Sequence, residues 1–351
     1  MLLTICTIRQ LSRAFALGHS FTRFGTALHG ATPDRADQEP VLIGLVDDPA
    51  HLPAGFASPF PLVPITDLLP ADQLQALSSV YTPTEFAAAC KPLFVAEAFR
   101  RYPDAGRVLY ADPSIQFFAP IAQLVEPVID ANIVLTPFVT RSPASGPLPD
   151  KSWPDEKYFQ NIGLYTADFL LFRRSAETDR MLAWWDDRVR ERAYTNSCVG
   201  LYLDQIWLMH VPVFFRNVVV MKNPGWHVGL WNLPERTLHA EGDSWSVDGP
   251  ADKRQPLRFV NFKGLWNPDE GFFPHQNRVT PAARPDVMTL LTAYRQVITL
   301  HQNLVLDSMT PAYGQQPEPV VLRGWRHTTV QSLRAINQFI DQVYLPEVRR
   351  K

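Results

Sequence analysis

Short apolar runs, bounded by turn residues and separated by helical stretches, recur along the chain and constrain its fold more than any other feature. Residues 2–7, 41–46 and 107–112 each have the length and apolar character of a buried strand. Strands that are covered on both faces have nearly continuous apolar sequences, and the helices between them provide the cover. The pattern therefore predicts an α/β fold with a mostly parallel central sheet.

One helix is clearly marked at its start. Thr82 is a candidate N-cap, Pro83 occupies the first helical position, and Glu85 completes a capping box. The helical pattern continues to about residue 102. Pro92 lies inside it and is expected to break or kink the helix, because proline cannot donate a backbone hydrogen bond.

The length and composition fit one large domain. The chain has 351 residues, of which 46% are hydrophobic and 19% are charged, so it has ample material for a core. We expect a single α/β domain over residues 1–305. A mainly helical C-terminal extension is expected over residues 306–351, with a last helix at residues 329–343.

Charge and cysteine content argue against several classes of protein. The net charge of −2 gives no reason to expect a nucleic-acid partner. The three cysteines show no CxxC spacing, which argues against a disulfide framework or a zinc site and favours a reducing compartment. The N-terminus lacks the features of a signal peptide, and no run of about 20 apolar residues predicts a transmembrane span. We therefore expect a cytoplasmic protein, with peripheral placement at the inner membrane face as an alternative.

A candidate site follows the strand at residues 107–112. The sequence Tyr110-Ala-Asp-Pro-Ser114 places Asp112 at the carboxyl end of that strand, where open α/β sheets bind their ligands. The alternative is that Asp112 only begins the turn before Pro113.

Eight segments follow one another along the chain: TICT at 4–7, TEFAAACKP at 84–92, VLYADPSI at 108–115, ADFLLFRRS at 167–175, WW at 184–185, LDQIW at 203–207, PGWHVGLWN at 224–232 and FVNFKG at 259–264. As an ordered set, they resemble bacterial glycosyltransferases related to family eight, which occur among polysaccharide-assembly enzymes. The resemblance covers roughly residues 2–300.

The resemblance implies a single-domain GT-A fold and a transferase that moves a sugar from a nucleoside-diphosphate sugar to a hydroxyl of a glycan or similar acceptor, with retention of configuration. It places Thr7 and Ile8 beside the base. Asp112 takes the position of the first acid in the DxD element, which holds a divalent metal on the diphosphate. Gly264 takes the position of the final glycine in a late His-x-x-Gly motif.

Asp204 and Gln205 correspond to an acid–amide pair beside the donor sugar. The apolar residues around them predict a helix over residues 199–211. Adjacent side chains on a helix point about 100° apart, so at least one of the two must face a polar cavity or a buried hydrogen-bond partner. The alternative is that Asp204 holds a neighbouring loop through backbone amides.

Two positions depart from the metal motif of the family. Ser114 replaces the second acid of the DxD element and Asn261 replaces the histidine, so Asp112 is left with a hydroxyl and an amide. A hard divalent ion prefers several anionic oxygens, and Mn²⁺ or Mg²⁺ is therefore disfavoured as a cofactor. We expect Lys263, together with Lys91, to neutralise the diphosphate instead. The alternative is that Lys263 is an exposed lysine at a strand end.

Other residues leave the interpretation open. Asp168 stands where the family has glycine, and it could bind an acceptor hydroxyl or be a satisfied loop acid. His227 and Asn232 could approach the sugar or be ordinary loop residues. The altered metal motif also keeps a second function open, namely a catalytically degenerate protein that binds a sugar nucleotide or glycan without turnover.

Overall fold

The computed structural model of the protein describes residues 1–24, 40–141, 156–196, 199–242, 244–249, 253–266, 284–301 and 304–318, with 325, 328, 329, 332, 333 and 336. The chain divides into two units, Met1–Pro317 and Glu318–Lys351.

The strands of the described residues all lie in the first unit: β1 (Leu2–Cys6), β2 (Val41–Leu45), β3 (Leu62–Pro64), β4 (Arg107–Ala111), β5 (Ile115–Phe117), β6 (Ile133–Pro137), β7 (Tyr165–Arg173), β8 (Val218–Val220), β9 (Val228–Gly229), β10 (Leu238–Glu241), β11 (Ser244–Asp248), β12 (Arg254–Pro256) and β13 (Phe259–Asn261).

Seven of these strands form the central sheet, in the order β3-β2-β1-β4-β7-β6-β8. The strands from β3 to β4 run parallel, and so do β6 and β8, whereas β7 lies antiparallel to both of its neighbours. The predicted α/β fold with a mostly parallel central sheet is confirmed.

A small second sheet adjoins the end of β4. In it, β13 pairs antiparallel with β5 and parallel with β9, so that Asn261 lies opposite Ile115 on one side and Gly229 on the other. Because β5 follows β4 after a short turn, this pairing carries Asn261 to the carboxyl end of β4. Strands β10, β11 and β12 form a third, antiparallel sheet.

The α-helices of the first unit, within the described residues, are α1 (Leu11–Phe24), α2 (Ala71–Val80), α3 (Pro83–Arg101), α4 (Ala122–Val125), α5 (Glu156–Ile162), α6 (Ala176–Arg192), α7 (Val211–Phe214), α8 (Pro285–His301) and α9 (Leu304–Asp307). Helices cover both faces of the central sheet, as β1 shows. Leu3 and Ile5 pack in the core with α3 and α6, whereas Leu2 packs with Leu17 and Phe21 of α1. This alternation is the one expected of a strand buried on both faces.

The capping box predicted for α3 is confirmed. The Thr82 hydroxyl accepts the Glu85 backbone N–H at 3.2 Å, and the Glu85 carboxylate accepts the Thr82 N–H at 3.0 Å. Of the two expectations for Pro92, a break or a kink, the break does not occur, because α3 continues to Arg101. An interior proline costs about 3 kcal/mol. Burial of large side chains such as Phe94 on the same helix offsets this cost, at about 1.5–3 kcal/mol each.

Residues 304–317, called here the C-terminal strap, belong to the first unit, although the sequence predicted a boundary after residue 305. Leu306 is buried with Ile8. The Ala312 N–H donates to the Asp47 carboxylate at 2.8 Å, and the Gly314 N–H donates to the Ser78 hydroxyl at 2.9 Å. The strap therefore packs along the edge that contains the ends of β1 and β2.

The second unit has few described residues. Among them, the Thr329 hydroxyl donates to the Trp325 carbonyl at 2.9 Å, as in a helical turn. Most of the helix predicted at residues 329–343 lies outside the described residues. The sequence also predicts a loop at residues 144–150, and all of it lies outside the described residues. None of the described helices has the length and apolar character that crossing a membrane requires.

Candidate functional site

Two aspartates meet at the carboxyl end of β4 because β4 and β7 are antiparallel. Ala111 pairs with Phe169, and the next backbone contact joins the Asp112 N–H to the Asp168 carbonyl at 2.8 Å. The sequence identified Asp112 from its position after a strand. Asp168 was left open, because only the pairing of the two strands places it beside Asp112.

The Lys263 ammonium lies between these two carboxylates. Its Nζ is 2.8 Å from Asp112 Oδ2 and 2.9 Å from Asp168 Oδ1. The Lys263 side chain is only 18% exposed, so it is not the exposed strand-end lysine of the alternative interpretation. Asn261 completes the group, because its Nδ2 donates to Asp168 Oδ2 at 2.9 Å and its Oδ1 accepts the Lys263 N–H at 2.9 Å.

The pKa shifts of Asp112 and Lys263 favour the charged form of each. Burial acts to raise the pKa of Asp112, but the charge and hydrogen bond of Lys263 outweigh it, so the pKa is lowered. Burial acts to lower the pKa of Lys263, but Asp112 and Asp168 outweigh it, so that pKa is raised. Each ion therefore stabilises the charged form of its partner.

Arg13 of α1 adds a second cation that the sequence did not reveal. Its Nη1 donates to the Ser114 hydroxyl at 3.3 Å, and the Ser114 N–H donates to Asp112 Oδ1 at 2.9 Å. The Arg13 side chain is buried, and its charge acts to lower the pKa of Asp112. A buried arginine is unusual. Because burial cannot be seen in the sequence, no local signal marked Arg13 as part of the site.

Lys91 and Asp204 form a second buried ion pair. Lys91 Nζ lies 2.5 Å from Asp204 Oδ2 and donates to the Ala167 carbonyl at 2.9 Å. Burial raises the pKa of Asp204, and the charge of Lys91 opposes this rise. Since Ala167 precedes Asp168, the two ion pairs flank the same end of β7. Lys91 is therefore paired with Asp204 and not with Asp112.

The helix predicted over residues 199–211 is wrong in its first half. Leu203 has φ of 50°, and residues 203–205 form a turn. After this turn, helical structure resumes at Ile206. A left-handed residue cannot continue a right-handed helix, so it ends the helical pattern at this point. The Gln205 side chain bridges to β7, because its Nε2 donates to the Ile162 carbonyl at 2.6 Å and its Oε1 accepts the Ala167 N–H at 3.4 Å.

Thr7 and Ile8 lie at the carboxyl end of β1. The Thr7 hydroxyl donates to the Gln10 side chain at 3.2 Å, and the Ile8 N–H donates to Asp47 Oδ2 at 3.0 Å. The other carboxylate oxygen of Asp47 accepts the Ala312 N–H of the strap. Asp47 thus joins the predicted base-binding loop to the strap, a role that its place after β2 alone does not reveal.

Gly264 follows Lys263 in a turn and has φ of 76°, a conformation that favours glycine over other residues. Glycine is therefore favoured here for conformational reasons, because this residue turns the chain away from β13 immediately after Lys263.

The donor set at the end of β4 does not fit a divalent ion. Asp112 accepts hydrogen bonds from Ser114 and Lys263, and Asn261 is engaged by Asp168 and Lys263. Such an ion prefers several oxygen ligands, and here an ammonium group lies between the two carboxylates. Within the part of the chain that the structure describes, no group of three or more His, Cys, Asp or Glu side chains could hold a metal.

No protein-family model matches the chain. The uncharacterized protein YfnF of Bacillus subtilis (strain 168) is 26% identical over 236 residues, which cover 66% of this chain and 74% of YfnF.

Among solved structures, the galactosyltransferase LgtC in complex with donor and acceptor sugar analogues aligns with a TM-score of 0.47 at 13% identity. The alignment covers 86% of this chain and 96% of LgtC. The bifunctional glycosyltransferase WbbM aligns with a TM-score of 0.37 at 15% identity, over 65% of this chain and 39% of WbbM. At these identities and TM-scores, nothing is carried over from either protein to individual residues of this chain.

Proposed function

We propose that the protein is a glycosyltransferase that takes a nucleoside-diphosphate sugar and passes the sugar, with retention of configuration, to a hydroxyl of a glycan or similar acceptor. The observation that carries the proposal is the Lys263 ammonium held between Asp112 and Asp168 at the carboxyl ends of the strands. Open α/β sheets bind ligands at this edge, and a fixed cation there can stabilise a departing diphosphate.

In this proposal, Lys263 and Arg13 supply the charge that a metal gives in related enzymes. The net charge of these two cations together with the carboxylates of Asp112 and Asp168 is zero. A divalent ion beside two carboxylates gives the same net charge. The cations are held by buried contacts, so they need little reorganisation when charge develops on the diphosphate. The reaction is therefore proposed to be independent of metal.

Asp204 and Gln205 are proposed to lie beside the anomeric carbon of the donor sugar. Lys91 orients the carboxylate of Asp204, and the contacts of Gln205 with β7 fix its amide. Catalysis in such a site consists largely of positioning the two substrates, with charge stabilisation of the leaving group.

A second candidate function is binding of a sugar nucleotide or glycan without turnover. The observation that favours it is that Asp204 and Gln205 are both engaged in contacts inside the protein. The two candidates differ in one measurable property, since only the transferase releases nucleoside diphosphate.

The test is release of nucleoside diphosphate from UDP-, GDP- and dTDP-linked hexoses, in which the sugar passes to an added glycan hydroxyl or to water, measured with and without EDTA. We expect release with at least one donor, at a rate that EDTA does not change. Activity that EDTA abolishes and manganese restores would contradict the role of Lys263. Binding without release in any condition would favour the second candidate, and neither binding nor release across the panel would overturn both.

A further inference from the structure

His227 carries two buried polar atoms that the protein does not satisfy. The residue is 3% exposed, and within the described residues neither Nδ1 nor Nε2 has a hydrogen-bond partner. Buried polar side-chain atoms in proteins are nearly always paired, because an unpaired one loses its hydration without replacement. A buried imidazole without partners lowers the stability of the folded protein, so its presence requires another explanation, such as binding of a ligand.

The backbone of His227 is also held in an unfavourable conformation. Its φ is 63°, in the left-handed region that residues other than glycine rarely adopt. Asn232 fixes this turn, because its Nδ2 donates to the His227 carbonyl at 2.9 Å and its Oδ1 accepts the Gly229 N–H at 3.0 Å. Strained residues that the surrounding structure holds in place occur preferentially at ligand sites.

The imidazole lies among aromatic rings, with Trp231 at a centroid distance of 5.1 Å. Two of the other rings belong to the strands that hold the Lys263 cluster. The imidazole packs against Phe259 at a centroid distance of 5.4 Å and against Phe169 at 6.4 Å. Phe169 follows Asp168 in the chain, and β9, which begins after His227, is the neighbour of β13. Lys263 and Asp112 of this cluster are therefore among the charged groups that act on the ring, as is Arg236.

The ring of His227 is neutral at physiological pH. Burial lowers its pKa to about 3, and the nearby charge of Lys263 acts in the same direction. Asp112 acts to raise the pKa, and Arg236 acts to lower it further. A neutral imidazole has one N–H donor and one acceptor nitrogen, and neither has a partner among the described residues.

We propose that His227 recognises hydroxyl groups of the donor sugar, with one ring nitrogen donating to a hydroxyl oxygen and the other accepting a hydroxyl proton. This inference rests on the proposed function and adds a side chain that recognises the sugar of the donor. Phosphate oxygens only accept hydrogen bonds, so a diphosphate could satisfy one nitrogen but not both. Sugar hydroxyls both donate and accept, and they are the part of the donor next to the diphosphate.

The test compares His227→Phe with wild type for binding of a UDP- or GDP-hexose and of the matching nucleoside diphosphate without sugar. Phenylalanine fits the aromatic surroundings and removes two unsatisfied atoms, so the variant is expected to fold. We expect its affinity for the sugar nucleotide to fall about tenfold or more, while its affinity for the nucleoside diphosphate stays unchanged. His227→Asn keeps a donor and an acceptor and tolerates the left-handed backbone, so it should recover part of the loss.

His239→Phe is the matched control, since His239 is half-buried and paired with Asp248 in the third sheet. Unchanged sugar-nucleotide affinity in His227→Phe would overturn the inference and leave the proposed function standing. Equal loss of affinity for the sugar nucleotide and for the nucleoside diphosphate without sugar would also overturn it, because His227 would then not contact the sugar. Wild-type protein that binds no probe would overturn the proposed function, and the inference with it.

Discussion

Substitution of Lys263 by alanine should convert the cluster at the end of β4 into a cation site. The change removes an ammonium that lies 2.8 Å from Asp112 and 2.9 Å from Asp168, and it leaves two carboxylates facing one another. Removing one partner from a buried ion pair costs about 3–5 kcal/mol, because the remaining charge is uncompensated. In EDTA, Lys263→Ala should therefore be less stable than wild type by about this amount.

Divalent ions should restore much of that stability. Two carboxylates that surrounded one nitrogen can approach an ion at about 2.0–2.6 Å with small shifts. An ion present at 100 times its dissociation constant adds about 2.7 kcal/mol to the free energy of unfolding. Wild type should gain nothing from the ion, because its ammonium already lies between the two carboxylates.

The assay is urea unfolding followed by tryptophan fluorescence, in EDTA and in manganese, for wild type, Lys263→Ala and the control Lys222→Ala. Lys222 is exposed, so its loss should change stability by less than about 0.5 kcal/mol. The reasoning would be refuted if manganese failed to stabilise Lys263→Ala, or if it stabilised wild type equally.

Three further predictions follow from buried contacts. The pKa of His227 is about 3 in the folded protein and about 6.5 in the unfolded chain, so falling pH favours the unfolded chain. Between pH 7.5 and 5.5 this linkage should lower the free energy of unfolding of wild type by about 1.4 kcal/mol, and His227→Phe should not show this loss. Equal losses in the two proteins would refute the prediction. Asp204→Asn should destabilise the protein, because it leaves the buried Lys91 cation without its ion-pair partner. The double variant Asp204→Asn, Lys91→Met should recover the melting temperature. If the double variant also recovered turnover, Asp204 would have no role in the reaction. Gly314→Ala should cost more than about 1 kcal/mol, because φ is 81° and the new Cβ would overlap the Pro83 backbone; an unchanged melting temperature would show that the strap packs differently.

Local signals in the sequence were reliable guides to the fold. The order of apolar runs identified the strands of the parallel sheet, and Thr82 with Glu85 identified the start of α3. The position of Asp112 after a strand also identified the edge where Ser114 and Lys263 gather. Each of these inferences depends on neighbours in the chain or on a rule about strand ends.

The remaining features depend on contacts between distant segments. Arg13 on α1 and Asp168 on β7 meet the cluster only because of strand order and helix packing. The pairing of Lys91 with Asp204 follows from where α3 crosses the sheet, and no spacing in the sequence encodes it. The turn at Leu203 was missed because an apolar residue gives no sign of a left-handed backbone.

The antiparallel ladder between β4 and β7 also limits how the chain can change in length. Side chains along a strand alternate between faces, and Asp168 reaches Lys263 only while Phe169 stays opposite Ala111. Deleting or inserting one residue inside β7 would turn the aspartate to the other face and leave Lys263 with Asp112 alone. Point substitutions can therefore tune the charges at this edge one at a time, whereas a single-codon deletion within β7 would dismantle the arrangement in one step.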